Sequence, residues 1–381
     1  MTHMQRLLVA TLIVSVLSGC SLMREGFSSR AGGAVPASEP VPAVFDGQPR
    51  VVHEFDIGDD AQTVFGNVQI IEARDSDTFS DIARSYGLGY DELVNANPGV
   101  DPWLPGAGTR IVLPTQFVLP EAERRGIVLN IAAKRLYYFV PATDSEPGRV
   151  LTYPIGIGRV GWATPTGSAE IIAKAVDPAW YVPASVRKEH REAGDPLPAV
   201  VPPGPNNPLG RHVLKLDMPG YLLHGTNQPY GVGMRVSHGC VRLYPEDIEA
   251  LYAMAGLGTH VTIVNQPIVA GWRDREFYLA AYPRLEDDAR DEQTLLAESL
   301  AAIQDRHFML RGESDGQVLA ELLASGSGVA TAVTDAGLTT KPLYVRNVAA
   351  PPQDAPSREE IAELLDEMMR ETDAATAAGA Q

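Results

Sequence analysis

A mainly β protein with α+β additions is predicted, on three observations. Glycine and proline are abundant, 35 and 30 in 381 residues, and both punctuate a chain with turns. Between them stand short apolar runs at Gly126 to Ile131, Arg135 to Val140, Val150 to Ile155, Glu170 to Ala173, 209–216, 220–224 and 260–264. Their lengths and alternation suit strands of a mainly antiparallel sandwich or barrel. The total length predicts two or three domains at about 150 residues each. With 45% apolar and 21% charged residues, wholesale disorder and a many-span membrane protein are excluded. Lys plus Arg is 31 against 48 Asp plus Glu, a net charge of −17. No bulk basic surface exists to release counterions, so no nucleic-acid partner is expected.

The elements begin with a leader. Arg6 precedes an apolar stretch of 11 residues, Leu7 to Leu17, too short to span a bilayer of about 30 Å and suited to a signal peptide over 1–19. Leu17-Ser18-Gly19-Cys20 resembles the bacterial lipobox, which implies that Cys20 is lipidated and becomes the first mature residue. Ser21 follows it, and by resemblance to sorted lipoproteins that implies an outer-membrane anchor on the periplasmic face of the envelope. Residues 20–50, rich in Ser, Ala, Gly and Pro, read as a flexible tether, and 51–67 as a strand-like lead-in. The other cysteine, Cys240, then has no intramolecular partner. In an oxidising compartment it is either buried and inert or used.

Residues 68–115 form a small unit. Val68 to Ile71 suits a strand. Asp77 or Thr78 can cap a helix carrying Phe79, Ile82, Ala83 and Tyr86, ended by Gly87. Tyr90 to Asn97 suits a second helix, stopped by Pro98-Gly99, and Thr109 to Leu113 a second strand. This β-α-α-β order, with Asp77-Thr78, Ile82-Ala83, Tyr86, Leu93, Asn95, Asn97-Pro98 and Ile111 to Pro114, resembles the LysM module. That implies binding to peptidoglycan glycan strands. Ser76 stands where the module usually has Gly, and Val100 to Gly108 is longer than in a minimal module. A spacer packed on the next domain is the alternative. Its boundaries read as those of a separable unit. A chain without residues 51–115 is expected to bind sacculi more weakly and to keep thiol reactivity at Cys240.

The chemistry is concentrated between Tyr221 and Leu243. A thiol of pKa near 8.5 is only a few per cent thiolate at neutral pH and needs an imidazole in reach to take its proton. His224 and His238 both lie within 16 residues of Cys240. Leu222 and Leu223 end a strand that can deliver His224. Ser237-His238-Gly239-Cys240 is a tight turn in which Gly239 lets backbone N–H groups converge as an oxyanion hole does. A zinc site from His224, His238 and Cys240 lacks a second nearby Cys and a clear fourth ligand. A pair of core histidines beside a buried Cys is a third reading, which Gly225, Gly231, Gly233 and Gly239 disfavour.

His224-Gly225-Thr226-Asn227 followed by Ser237-His238-Gly239-Cys240-Val241-Arg242 resembles the L,D-transpeptidase catalytic domain, also called the YkuD domain. Gly156-Ile157-Gly158-Arg159, Thr164-Pro165-Thr166-Gly167, Trp180 and the run 202–210 extend the likeness to the subgroup with an N-terminal LysM. The resemblance implies a catalytic domain over 121–265 with Cys240 as nucleophile and His224 as general base, its ring oriented by the Gly225 carbonyl. It also implies oxyanion amides from the His238–Gly239 turn, an assisting or structural hydrogen bond from His238, and a substrate-binding set of Arg242, Ser237, Thr226 and Asn227. Arg242 would pair with a stem carboxylate, and Ser237 would steady the turn. No metal and no cofactor are implied.

Pro245 to Met254 reads as a helix, with Pro245 in its first turn, Glu246 and Asp247 next, and Ile248, Leu251 and Tyr252 on one face. Residues 183–208 hold seven prolines in 26 positions, a stiff loop that is a candidate lid or mere decoration. Residues 266–346 resemble the small C-terminal domain of the same subgroup, with a hairpin at Ile268 to Gly271 and Glu276 to Ala281 and a helix at Glu292 to Gln304. In the tail 347–381, Ser357 and Glu360 form a capping box for a short helix.

The function so implied is an envelope L,D-transpeptidase acting on peptidoglycan tetrapeptide stems through a thioester on Cys240. It would form 3→3 cross-links or attach a wall lipoprotein. The alternatives are an L,D-carboxypeptidase or amidase that passes the acyl group to water, and a non-catalytic, lipid-anchored wall-binding tether.

Overall fold

The computed structural model describes residues 42–45, 48–58, 61–305, 320–334 and 337–349. The leader 1–19, Cys20, most of the tether and the tail helix after Ser357 lie outside the described residues.

The fold is mainly β. Its centre is a nine-stranded sheet in the order Val241–Arg242, Leu222–His224, His212–Leu216, Gly167–Val176, His260–Val264, Gly126–Asn130, Arg135–Val140, Gly148–Pro154, His53–Ile57. Two neighbouring pairs run parallel, His224 beside Arg242 and Val261 beside Ile127. The long strand Gly167–Val176 serves two partners. Its first half pairs with His260–Val264 and its second with His212–Leu216, with a register shift between Ile171 and Ala173. A bulge there bends the strand and curls the sheet.

The runs expected to alternate are instead buried on both faces. Ile127, Leu129, Leu136, Tyr138, Leu151 and Tyr153 point into an inner core with Ile248 and Leu251 of the helix Pro245–Met254. Val128, Tyr137, Phe139 and Val150 face the other way, against Phe79, Ile82, Leu93, Ile111 and Leu113. A sheet covered on both sides reads as continuous apolar sequence rather than as alternation.

That second cover is the segment strand Gln69–Glu72, helix Phe79–Ser85, helix Tyr90–Ala96 and strand Arg110–Leu113. Thr78 caps the first helix, its side chain accepting from the Asp81 amide. The segment is joined to the sheet by buried charges. Glu92 pairs with Arg135, and Arg50 and Arg84 reach Glu246 and Asp247 at the start of the helix Pro245–Met254. Tyr90 N–H also donates to Val232 O. At that point Gly89 and Gly233 meet backbone to backbone, and a Cβ on Gly233 would lie 2.4 Å from the Gly89 Cα.

C-terminal to the sheet, Ile268–Arg273, Glu276–Ala281, Thr331–Thr334 and Gly337–Thr339 form an antiparallel sheet. The helix Glu292–Asp305 packs on it through Leu300 and Ile303. The strand Leu343–Tyr344 then returns to pair, parallel, with Gln69 and Ile70.

The proline-rich stretch 183–208 is not simply a loop. Trp180–Tyr181 and Val200–Val201 pair as a short ribbon, and between them lies the helix Ala184–Glu192. Only Val186 of that helix is buried, so it carries no apolar stripe by which periodicity could reveal it. Asn207 closes the base of the excursion, its amide donating to Pro178 O at 2.8 Å and its carbonyl accepting from Leu209 N at 2.9 Å.

Candidate active site

Three strand ends deliver the candidate residues to one place. His224 ends the strand Leu222–His224 and lies between Val213 on one side and Arg242 on the other. The turn from Ser237 to Cys240 links the strand Arg235–Ser237, which pairs with Ile157 and Gly158, to the strand Val241–Arg242. Gly156 and Arg242 exchange backbone hydrogen bonds of 2.8 and 2.9 Å, which locks the second strand behind the turn.

The turn holds itself together. Ser237 Oγ donates to Cys240 O at 2.5 Å and accepts from Gly239 N at 3.2 Å. Thr164 Oγ donates to Gly239 O at 2.9 Å and accepts from Gly158 N at 3.0 Å. Gly239 has φ +99°, and a Cβ there would lie 3.0 Å from the Tyr221 ring; both conditions call for glycine. The Gly239 amide is therefore engaged with Ser237 Oγ and is not a free donor of the turn.

His224 is buried, and its Nδ1 lies 2.6 Å from Gly225 O. A carbonyl only accepts, so Nδ1 carries the proton and Nε2 keeps its lone pair. Burial, and then the Arg242 charge, push the ring down to about 3, against the pull of the Gly225 and Leu209 carbonyls. Cys240 is partly exposed, with Sγ 3.5 Å from Gly220 O. Burial raises its thiol, opposed by a Leu222 backbone hydrogen bond and by Arg242. Thiol and imidazole are thus both neutral at pH 7. Neither group therefore rests in its charged form, so the site holds no preformed thiolate–imidazolium pair.

His238 has different surroundings. Its Nε2 lies 3.0 Å from Glu189 Oε2 and 3.0 Å from an Arg159 nitrogen, and Arg159 also pairs with Glu189. Trp162 stands edge-on to the ring at 4.9 Å and His190 lies 6.1 Å away. Burial and Arg159 lower its pKa to about 4, with Glu189 opposing. His224 and His238 therefore face separate partners and do not converge as a ligand pair. Among the described residues no three His, Cys, Asp or Glu side chains form a metal-ligating group.

Thr226 is buried and accepts from Gln228 N at 2.9 Å, a role in the backbone of the loop. Asn227 is exposed and Arg242 half-buried. Sequence reasoning assigned no role to Arg159 or Trp162 and passed over Glu189. Arg159 stood inside the glycine-rich motif, whereas Glu189 offered no signal in a proline-rich stretch.

Residues 124–263 match the profile described as the YkuD L,D-transpeptidase catalytic domain. The Escherichia coli K12 protein named probable L,D-transpeptidase YcfS is 39% identical over 264 residues, covering 67% of this chain and 80% of that protein. The chain belongs to the L,D-transpeptidase family. Another E. coli K12 relative of this transpeptidase, probable L,D-transpeptidase YbiS, is 41% identical over 214 residues, 55% of this chain and 68% of that protein. Among solved structures, the catalytic domain from the E. faecium L,D-transpeptidase is 22% identical, with a TM-score of 0.28, and covers 38% of this chain and 100% of that one.

Proposed function

We propose that this L,D-transpeptidase uses Cys240 as nucleophile and His224 as general base on peptidoglycan tetrapeptide stems. The observation that carries the reading is the His224 tautomer. With Nδ1–H committed to Gly225 O at 2.6 Å, Nε2 can only accept, and it sits on the strand that pairs beside Val241 and Arg242.

The Cys240 S–H proton passes to His224 Nε2 as sulfur attacks the carbonyl of the third stem residue. The oxyanion is met by the Cys240 amide. The C–N bond to the terminal D-alanine breaks, and the imidazolium returns its proton to the leaving amine. The thioester is then attacked by an amine, His224 takes that amine's proton, and the sulfur leaves and is reprotonated. A stem side-chain amine gives a 3→3 cross-link, and the lysine of a wall lipoprotein gives attachment. Arg242, beside His224, suits a carboxylate of the stem.

The lipobox at Cys20 supports anchoring at the periplasmic face of the outer membrane. The β-α-α-β segment supports contact with glycan strands. Cell walls incubated with and without the protein, digested and analysed by mass spectrometry, test the reading. New dimers linked between third residues are expected. Tripeptides alone would indicate water as acceptor, and unchanged stems would leave a wall-binding tether as the better account.

A further inference from the structure

We propose that Glu189 is a positioning residue that fixes the orientation and tautomer of His238, and so latches the excursion 178–207 onto the nucleophile turn. The inference rests on the assignment of Cys240 as nucleophile, because His238 stands two residues before it in the turn.

The groups facing His238 come from three places. Glu189 and His190 belong to the excursion helix, Arg159 and Trp162 to the glycine-rich segment, and Arg242 to the strand after the turn. Both Glu189 and Arg159 approach the same ring nitrogen at 3.0 Å. A guanidinium only donates and a carboxylate only accepts, so Nε2 cannot serve both with one proton. Arg159 pairs directly with Glu189, which leaves Nε2–H to donate to the Glu189 carboxylate. Nδ1 then holds a lone pair on a ring whose rotation Trp162 blocks from one side. The arrangement parallels that of His224 with the opposite nitrogen protonated, and its orienting group is a side chain from outside the motif.

The helix itself buries little. Val186 is its single buried residue, Lys188 and Glu192 are largely exposed, and the prolines around it offer few backbone donors. The polar contact through Glu189 is therefore the one that ties the helix directly to the turn residue His238. Arg159 is buried and Glu189 mostly so, where a charge-assisted contact is worth more than on an open surface.

The test compares wild type with Glu189→Ala, Glu189→Gln and the control Lys188→Ala in the full chain. It reads D-alanine release from tetrapeptide, acylation of Cys240 by a carbapenem, a β-lactam whose strained carbonyl is an electrophile for the same thiol, and the His238 tautomer from ring ¹⁵N shifts. Wild type and Lys188→Ala should show the Nε2–H tautomer. Glu189→Ala should lose it and lose about 10- to 100-fold in rate, the size of effect that removing the orienting partner has on metal-ligating histidines. Glu189→Gln, which keeps an acceptor, should retain the tautomer and recover part of the rate. An Nδ1–H tautomer in wild type, or a Glu189→Ala protein with unchanged tautomer and rate, overturns the latch. A wild-type protein that neither releases D-alanine nor acylates overturns the Cys240 assignment instead, and the tautomer still decides the latch.

Discussion

Arg135 and Glu92, 43 residues apart, form a two-point ion pair with side chains 1% and 9% exposed, both contacts at 2.7 Å. Arg135 also donates to Gly87 O at 3.1 Å and lies over the Phe117 ring at 4.4 Å. Glu92 in turn accepts from Gly89 N at 2.7 Å. The pair rivets the β-α-α-β segment to the sheet, on the flank that meets Val232 and Gly233 ahead of the turn Ser237 to Cys240.

Removing one partner of such a pair leaves the other buried without compensation, at about 3–5 kcal/mol. Arg135→Ala should therefore lower the thermal midpoint sharply, whereas Arg135→Met, which restores apolar volume, should cost less if paired with Glu92→Gln. Deleting 51–115 should do worse than either. It strips the edge strand His53–Ile57 and bares Val128, Tyr137, Phe139 and Val150. The separable unit read from the sequence predicts retained thiol reactivity in that deletion; the packing predicts an aggregating protein without it. Circular dichroism and thiol labelling of the truncated chain decide between them.

Cys240 and His224 should behave as one unit, with losses that do not add. Cys240→Ala should abolish D-alanine release. His224→Ala should cost on the order of 10²–10⁴ in rate, and the double variant should be no worse than Cys240→Ala. A His224→Ala protein that reacts with carbapenem as fast as wild type would transfer the base role to His238.

Because burial raises the Cys240 thiol and lowers His224 to about 3, alkylation by iodoacetamide should climb only through alkaline pH. An inflection near neutrality would reveal a preformed thiolate–imidazolium pair.

Acid should act on the fold through its buried histidines. His53 and His224 are buried and held down to about 3, from an ordinary value of 6.5. Burial is the main cause for both, followed by Arg135 for His53 and Arg242 for His224. Below 6.5 the unfolded chain takes up protons that the folded chain refuses, so stability is full above that pH and falls toward pH 3. Each histidine costs on the order of 1 kcal/mol per pH unit in this window. His53→Gln, which can still donate to Tyr86 O, should flatten the fall of the thermal midpoint between pH 6.5 and 5 relative to wild type.

What the sequence by itself determined is local. The turn Ser237 to Cys240 is set by four consecutive residues and a glycine at φ +99°. The helix Pro245–Met254 is readable because proline, two acids and an apolar stripe recur within one short span. The strand Leu222–His224 places His224 because its own pattern ends there. Only the tertiary structure decided which distant residues support these pieces. Glu189 reaches His238 across 49 positions, Arg135 reaches Glu92 across 43, and Leu343 pairs with Gln69 from the far end of the described chain. Such contacts leave no period and no spacing in the chain. They arise because a curled sheet with two apolar faces must be covered on both, and because each charge carried into that cover must find a partner there.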